Sequence, residues 1–119
     1  MGLYVDGYVL PVPKENIEAY RRIDRKAGKI WREHGALDCQ ECVGMDMPIK
    51  GMVPSPRGVK AKPGNTGVFA WVLFKSRAHR HRVNGKVMKD PRLFNMDHKP
   101  GPFDCTRMIY GGFKVMVDT

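Results

Sequence analysis

The sequence predicts an α+β fold of the ferredoxin-like type, a four-stranded antiparallel sheet with two helices on one face. Three observations lead there. Strand-like and helix-like patterns alternate as β-α-β, a long loop, then β-α-β, the split arrangement of that fold. The chain has 119 residues, the length of one compact domain. No repeat and no linker divides it, so one domain is expected over residues 1-119.

The first strand is "GLYVDGYVLPVP", with Leu3, Val5, Gly7 and Val9 on one face and Tyr4, Asp6, Tyr8 and Leu10 on the other. Pro11 and Pro13 end it. A helix is expected from about Lys14 to His34, with Ile17, Tyr20, Ile23, Ala27, Ile30 and Trp31 at helical spacing. Gly35 caps its C-terminus. A second strand covers about Ala36 to Gly44. The stretch of about 45-67, rich in proline and glycine, reads as a long irregular loop. "VFAWVLFK" is almost wholly apolar and reads as a central strand. Ser76 is a good N-cap for a second helix running to about Lys89. "RMIYGGFKVMVD" closes the chain as the fourth strand.

Two helices cover only one face of such a sheet. The other face is expected to carry Tyr4 and Tyr8, one set from the third strand, and Met108 and Tyr110 or their neighbours. So much apolar surface calls for a cover. A homodimer through the sheet faces, enclosing a barrel-like core, supplies one.

The formal net charge is +9, from 21 Lys and Arg against 12 Asp and Glu. This favours an anionic partner without identifying it. There is no apolar run of membrane-spanning length and no signal peptide, so a cytoplasmic protein with no membrane partner is expected. The three cysteines, Cys39, Cys42 and Cys105, do not form a disulfide framework. Cys39 and Cys42, three apart on a strand, point to opposite faces and cannot chelate one ion without a bulge. All three are expected to be reduced thiols, with no structural metal.

"KSRAHRHRVNGKVM" carries Arg77, His79, Arg80, His81 and Arg82. On a helix, His79 and His81 diverge by about 200° and cannot share a metal. His79, Arg80, Val83 and Val87 form one face, with Arg77, His81 and Arg82 solvated elsewhere. Arg80 therefore meets the core and needs a partner. Asp24, among Tyr20, Ala27 and Trp31 on the first helix, is the expected one.

"YVDGYVLPVP", "WREHGAL", "ECVG", "VFAWVLFKSRAHRHRVNGKVMKDPR" and "PFDCTRMIYGGF" together resemble the DUF1428, or YbaA-like, family of uncharacterised bacterial proteins. The resemblance runs nearly end to end. It implies a dimeric α+β barrel, a superfamily that includes small cofactor-independent oxygenases, isomerases, haem-handling enzymes and proteins with no known activity. It implies fold and dimerisation far better than chemistry.

No Ser-His-Asp pattern, phosphate loop or dinucleotide fingerprint is present, and no cofactor is expected. The favoured function is binding or conversion of a small, acidic molecule in a barrel pocket. The candidate catalytic residues are Asp6, Glu41, His79 and Tyr110. Asp6 and Glu41 are carboxylates placed mid-strand among apolar neighbours. His79 is either a general base or a core histidine bonded to backbone. Trp71, as an apolar wall, and Arg80 are the candidate ligand-binding residues. His34 is expected to cap carbonyls at the helix end. An RNA-binding module is the alternative, with Tyr4, Tyr8, Trp71 and Tyr110 stacking bases and Lys50, Arg57, Lys60 and Lys62 supplying charge. Specific nucleic-acid binding is not expected, because dimerisation would bury those rings. A structural or regulatory dimer without ligand is the third reading.

Overall fold

The computed structural model describes residues 2–45, 64–93 and 108–119. Strand β1 spans Tyr4–Pro13, and a 3-10 turn at Lys14–Asn16 leads into helix α1, Ile17–Glu33. Strand β2 is Asp38–Val43, strand β3 Asn65–Phe74, helix α2 Arg77–Met88 and strand β4 Ile109–Lys114. The sheet order is β2-β3-β1-β4, with every neighbouring pair antiparallel. This is the ferredoxin-like arrangement expected from the element order. Strand β3 starts at Asn65, earlier than the apolar run suggested, because Pro13 pairs with Asn65 and carries the β1–β3 ladder to that point. Most of the expected loop, with Lys50, Arg57, Lys60 and Lys62, lies outside the described residues, as does Cys105.

Local signals set the helix ends. Gly35 has φ 118°, a conformation that strains any residue with a Cβ, and it turns the chain from α1 toward β2. At the start of α2 the Ser76 hydroxyl accepts a hydrogen bond from the His79 amide at 3.1 Å.

Both helices pack on one face of the sheet, in two clusters. Phe74, Val72, Val83, Val87 and Ala36 form one, and Leu10, Val12, Tyr20 and Val68 the other. Val83 and Val87 are buried as the helical spacing required, while Ile23 is 45% exposed.

The faces of β1 are the reverse of the expectation. Tyr4, Asp6, Tyr8 and Leu10 do share a face, but it is the helix-covered one, since Leu10 and Asp6 are buried beneath the helices. Tyr110 pairs with Tyr8 and stacks on it at 4.8 Å, so it belongs to that face too. The deciding group is Asp6. It is fully buried because Arg80 and Asn84 of α2 meet it. The open face carries Val5, Val9, Phe69, Trp71, Ile109 and Phe113 instead. Phe69, Ile109 and Phe113 are all more than half exposed. An uncovered apolar sheet face therefore exists, with different residues on it.

Candidate functional site

Two polar clusters lie between the helices and the sheet, and they divide the residues singled out in the sequence. The first centres on Asp6. Arg80 Nε donates to both of its carboxylate oxygens, at 3.1 and 3.0 Å, and Asn84 Nδ2 donates to Oδ2 at 3.2 Å. The Arg80 Nη2 donates to the Tyr110 hydroxyl, and the guanidinium carbon lies 5.9 Å from the Tyr4 ring centre. Asn84 Oδ1 in turn accepts from the Trp31 indole at 3.1 Å. Three of the expected site residues, Asp6, Arg80 and Tyr110, thus meet in one network joining α1, α2, β1 and β4. The expected Asp24–Arg80 pair does not form. The sequence placed Arg80 on the packed face correctly, but the carboxylate it meets there is on the sheet.

His79 stands apart from both clusters. Its Nδ1 accepts from the Lys75 amide at 3.0 Å, and a hydrogen bond to the Gly35 backbone engages the ring as well. The ring is bonded to backbone, but it is half-buried at the margin of the core. Burial, then Lys75, Arg82 and Lys86, push its pKa below the ordinary value. Trp71 is on the open face, pairing with Gln40 and Gly7, so it is not a wall of a helix-side pocket. Trp31 takes that place.

The second cluster involves Glu41. Strands β2 and β4 are the sheet edges, and Glu41 pairs with Ala70 on the helix-facing side of β2. The residue as a whole is exposed at this edge, but its carboxyl turns inward and Oε2 accepts from the Tyr20 hydroxyl at 2.8 Å. Asp24, one turn along α1 from Tyr20, hydrogen-bonds with both Tyr20 and Glu41. Its Oδ2 is buried and has no hydrogen-bond partner among the described residues.

These three residues line a groove of about 840 Å³ between α1 and the β2–β3 edge, within the roughly 300–1,000 Å³ of small-molecule sites. Ile17, Trp31, Val43, Val68 and Val72 supply apolar walls. Gly28 and Cys39 also line the groove, one from α1 and one from β2. There the Cys39 thiol faces the Gly28 carbonyl, and a Cβ on Gly28 would stand 3.1 Å from its sulfur.

Burial raises the pKa of both carboxyls. Repulsion from Asp24 adds to the effect on Glu41, which reaches about 7 although the Tyr20 hydrogen bond opposes the rise. The Tyr20 hydroxyl is pushed far above its ordinary value by the same burial, so it remains a donor. Burial and mutual repulsion both favour the protonated forms in this pair, the arrangement that suits general acid–base work.

The titration also affects stability. The folded chain holds the Glu41 proton up to about pH 7, whereas the ordinary value is 4.5. Between those values the folded state binds more protons than the unfolded one. The stability this contributes is complete below pH 4.5 and is lost as the pH rises through about 7. Thermal melts should therefore show wild type losing stability relative to Glu41→Gln from pH 5 to 8. A difference between the two that does not vary with pH would contradict the raised value.

A third cluster was not anticipated. Asp90 accepts from Arg92 at 2.7 Å and lies 2.8 Å from His34 Nε2, while Arg92 also reaches Glu33 at 2.8 Å. Arg92 first, then His34, holds the Asp90 carboxyl well below the usual range. His34 thus clips the end of α2 to the end of α1, where a capping role was expected. Among the described residues no group of three His, Cys, Asp or Glu side chains is placed to hold a metal ion. Cys39 and Cys42 are free thiols on opposite faces of β2.

The model of a protein family described as "Protein of unknown function (DUF1428)" matches residues 3–105. The chain belongs to this family. It is 39% identical over 115 residues to "Uncharacterized protein YbaA" of Escherichia coli strain K12, covering 97% of each chain, and equally so to that of Shigella flexneri. The groove residues Tyr20, Asp24 and Glu41 fall inside the family match, whereas Tyr110 and the rest of β4 follow its last matched residue. Among solved structures, the designed protein Foldit4 aligns at TM-score 0.45 and 9% identity, over 95% of this chain and 98% of that one, a likeness too slight to build on.

Proposed function

We propose that this DUF1428 protein binds a small molecule in the groove between α1 and β2 and moves a proton on it. Glu41 and Asp24 act as the acid–base pair, and Tyr20 is the adjoining hydrogen-bond donor. The observation that carries this reading is the carboxyl pair itself, set in an apolar-walled groove with one buried oxygen, Asp24 Oδ2, lacking a partner among the described residues. A carboxylate that titrates near 7 is matched to taking and returning a proton at neutral pH. The chemistry it fits is removal of a proton from carbon next to a carbonyl. As Glu41 takes up the proton it releases the Tyr20 hydroxyl, which would then donate to the developing charge. The test is hydrogen–deuterium exchange at the methylene of phenylpyruvate in D2O, followed by proton NMR. Exchange no faster than in buffer, across a panel of such carbonyl compounds, would sink the reading.

The functional unit we infer is a cytoplasmic homodimer joined by the open sheet faces, each copy covering the other's Phe69, Trp71, Ile109 and Phe113. Among the described residues no helix is long and apolar enough to cross a membrane. Sedimentation at micromolar concentration should give twice the chain mass, and Phe69→Asp with Phe113→Asp should give the monomer. A monomeric wild type overturns the pairing. Of the rings the RNA alternative would use, Tyr4, Tyr8 and Tyr110 face the helices, and Trp71 lies on the open face with Phe69 and Phe113, where the proposed dimer would cover all three. Rings and cations on one accessible surface are what such a reader needs.

A further inference from the structure

The groove is lined by cations as well as by Asp24, Glu33 and Glu41. Four cations of α1 line it: Arg21, Arg25, Lys29 and Arg32. The outer two are occupied, Arg21 by Glu18 at 3.0 Å and Arg32 by Asp38 at 3.4 Å. The middle two, Arg25 and Lys29, make no ion pair among the described residues. They stand four residues apart, one above the other on the helix, and next in sequence to Asp24 and to Gly28 respectively.

We propose that Arg25 and Lys29 bind the anionic end of the groove's ligand, which makes that ligand a small keto or hydroxy acid. Its apolar body lies along Val68 and Val72, and its oxygen function meets Tyr20 and Asp24 Oδ2. This specifies the substrate class for the proton-transfer reading of the same groove. The net charge of the chain does not carry the point, since it would draw any anion to any surface. Location does. Arg22 and Lys26 are equally cationic and equally without an ion pair among the described residues; all four side chains border a shallower hollow on the outer side of α1, but of the four only Arg25 and Lys29 also line this groove. A ligand held only by general attraction would not distinguish the two pairs.

Two probes separate the claims. Phenylpyruvate carries a carboxylate; phenylacetone has the same ring and the same acidic methylene without it. Calorimetric titration should show phenylpyruvate binding at least about tenfold tighter, the equivalent of 1.4 kcal/mol. Arg25→Gln with Lys29→Gln should bring that ratio close to one. Arg22→Gln with Lys26→Gln removes the same charge from the outer side of α1 and should leave the ratio in place. Equal affinity for the two probes, no binding of either at millimolar concentration, or equal loss in both double variants would overturn the inference. The last result would put the anion on the outer stripe of α1. Binding that depends on the carboxylate, with no methylene exchange, would instead uphold the anion site and refute proton transfer.

Discussion

Arg80→Ala is expected to cost on the order of 3–5 kcal/mol, a large part of the stability of a domain this size. Asp6 is fully buried, and Arg80 Nε contacts both of its oxygens. Without the guanidinium, the buried carboxylate keeps Asn84 and Tyr110 as hydrogen-bond partners but loses its counter-charge. Arg82 is two residues along the same helix but exposed, so Arg82→Ala should shift stability by about 0.5 kcal/mol or less. Urea titrations of the two variants give the comparison directly. Replacing both members of the pair, Asp6→Leu with Arg80→Leu, should recover much of the loss, because the penalty comes from stranding a charge. Equal midpoints for Arg80→Ala and Arg82→Ala would mean that the Asp6–Arg80 pair does not hold α2 to the sheet.

Glu41→Gln is expected to slow phenylpyruvate methylene exchange by about 10²- to 10⁴-fold, the usual contribution of a positioned general base. The amide keeps the shape of the side chain and removes its basicity. In wild type the rate should rise with pH as Glu41 loses its proton near 7. Tyr20→Phe adds a test with a sign. The Tyr20 hydroxyl donates to the Glu41 carboxylate and so favours its ionised form. Removing it should move the midpoint of the pH–rate curve to higher pH. Unchanged exchange in Glu41→Gln, in a protein that still melts cooperatively, would remove Glu41 from the mechanism. A Tyr20→Phe midpoint that moves to lower pH would remove the hydrogen bond from its assigned role.

Much of this protein follows from local pattern alone. Helical spacing placed Val83, Val87 and Arg80 on one face of α2, Gly35 and Ser76 marked helix ends, and the order of elements determined a ferredoxin-like sheet. Alternation on β1 grouped Tyr4, Asp6, Tyr8 and Leu10, because successive side chains on a strand must point to opposite sides. Which of the two groups would meet the helices was decided only in the tertiary structure. A face holding a carboxylate reads as the wetter one unless its partners are known, and Arg80 and Asn84 lie far along the chain from Asp6. The candidate site divides in the same way. The mid-strand position of Glu41 drew notice in the sequence, and so did Asp24 on the inner side of α1. That the two meet each other beside Tyr20 depends on how α1 lies over the β2 edge, where the Gly28–Cys39 approach brings helix and strand together. Periodicity assigns a residue to a face, but only the packing of one element on another determines which residues from separate elements share a proton.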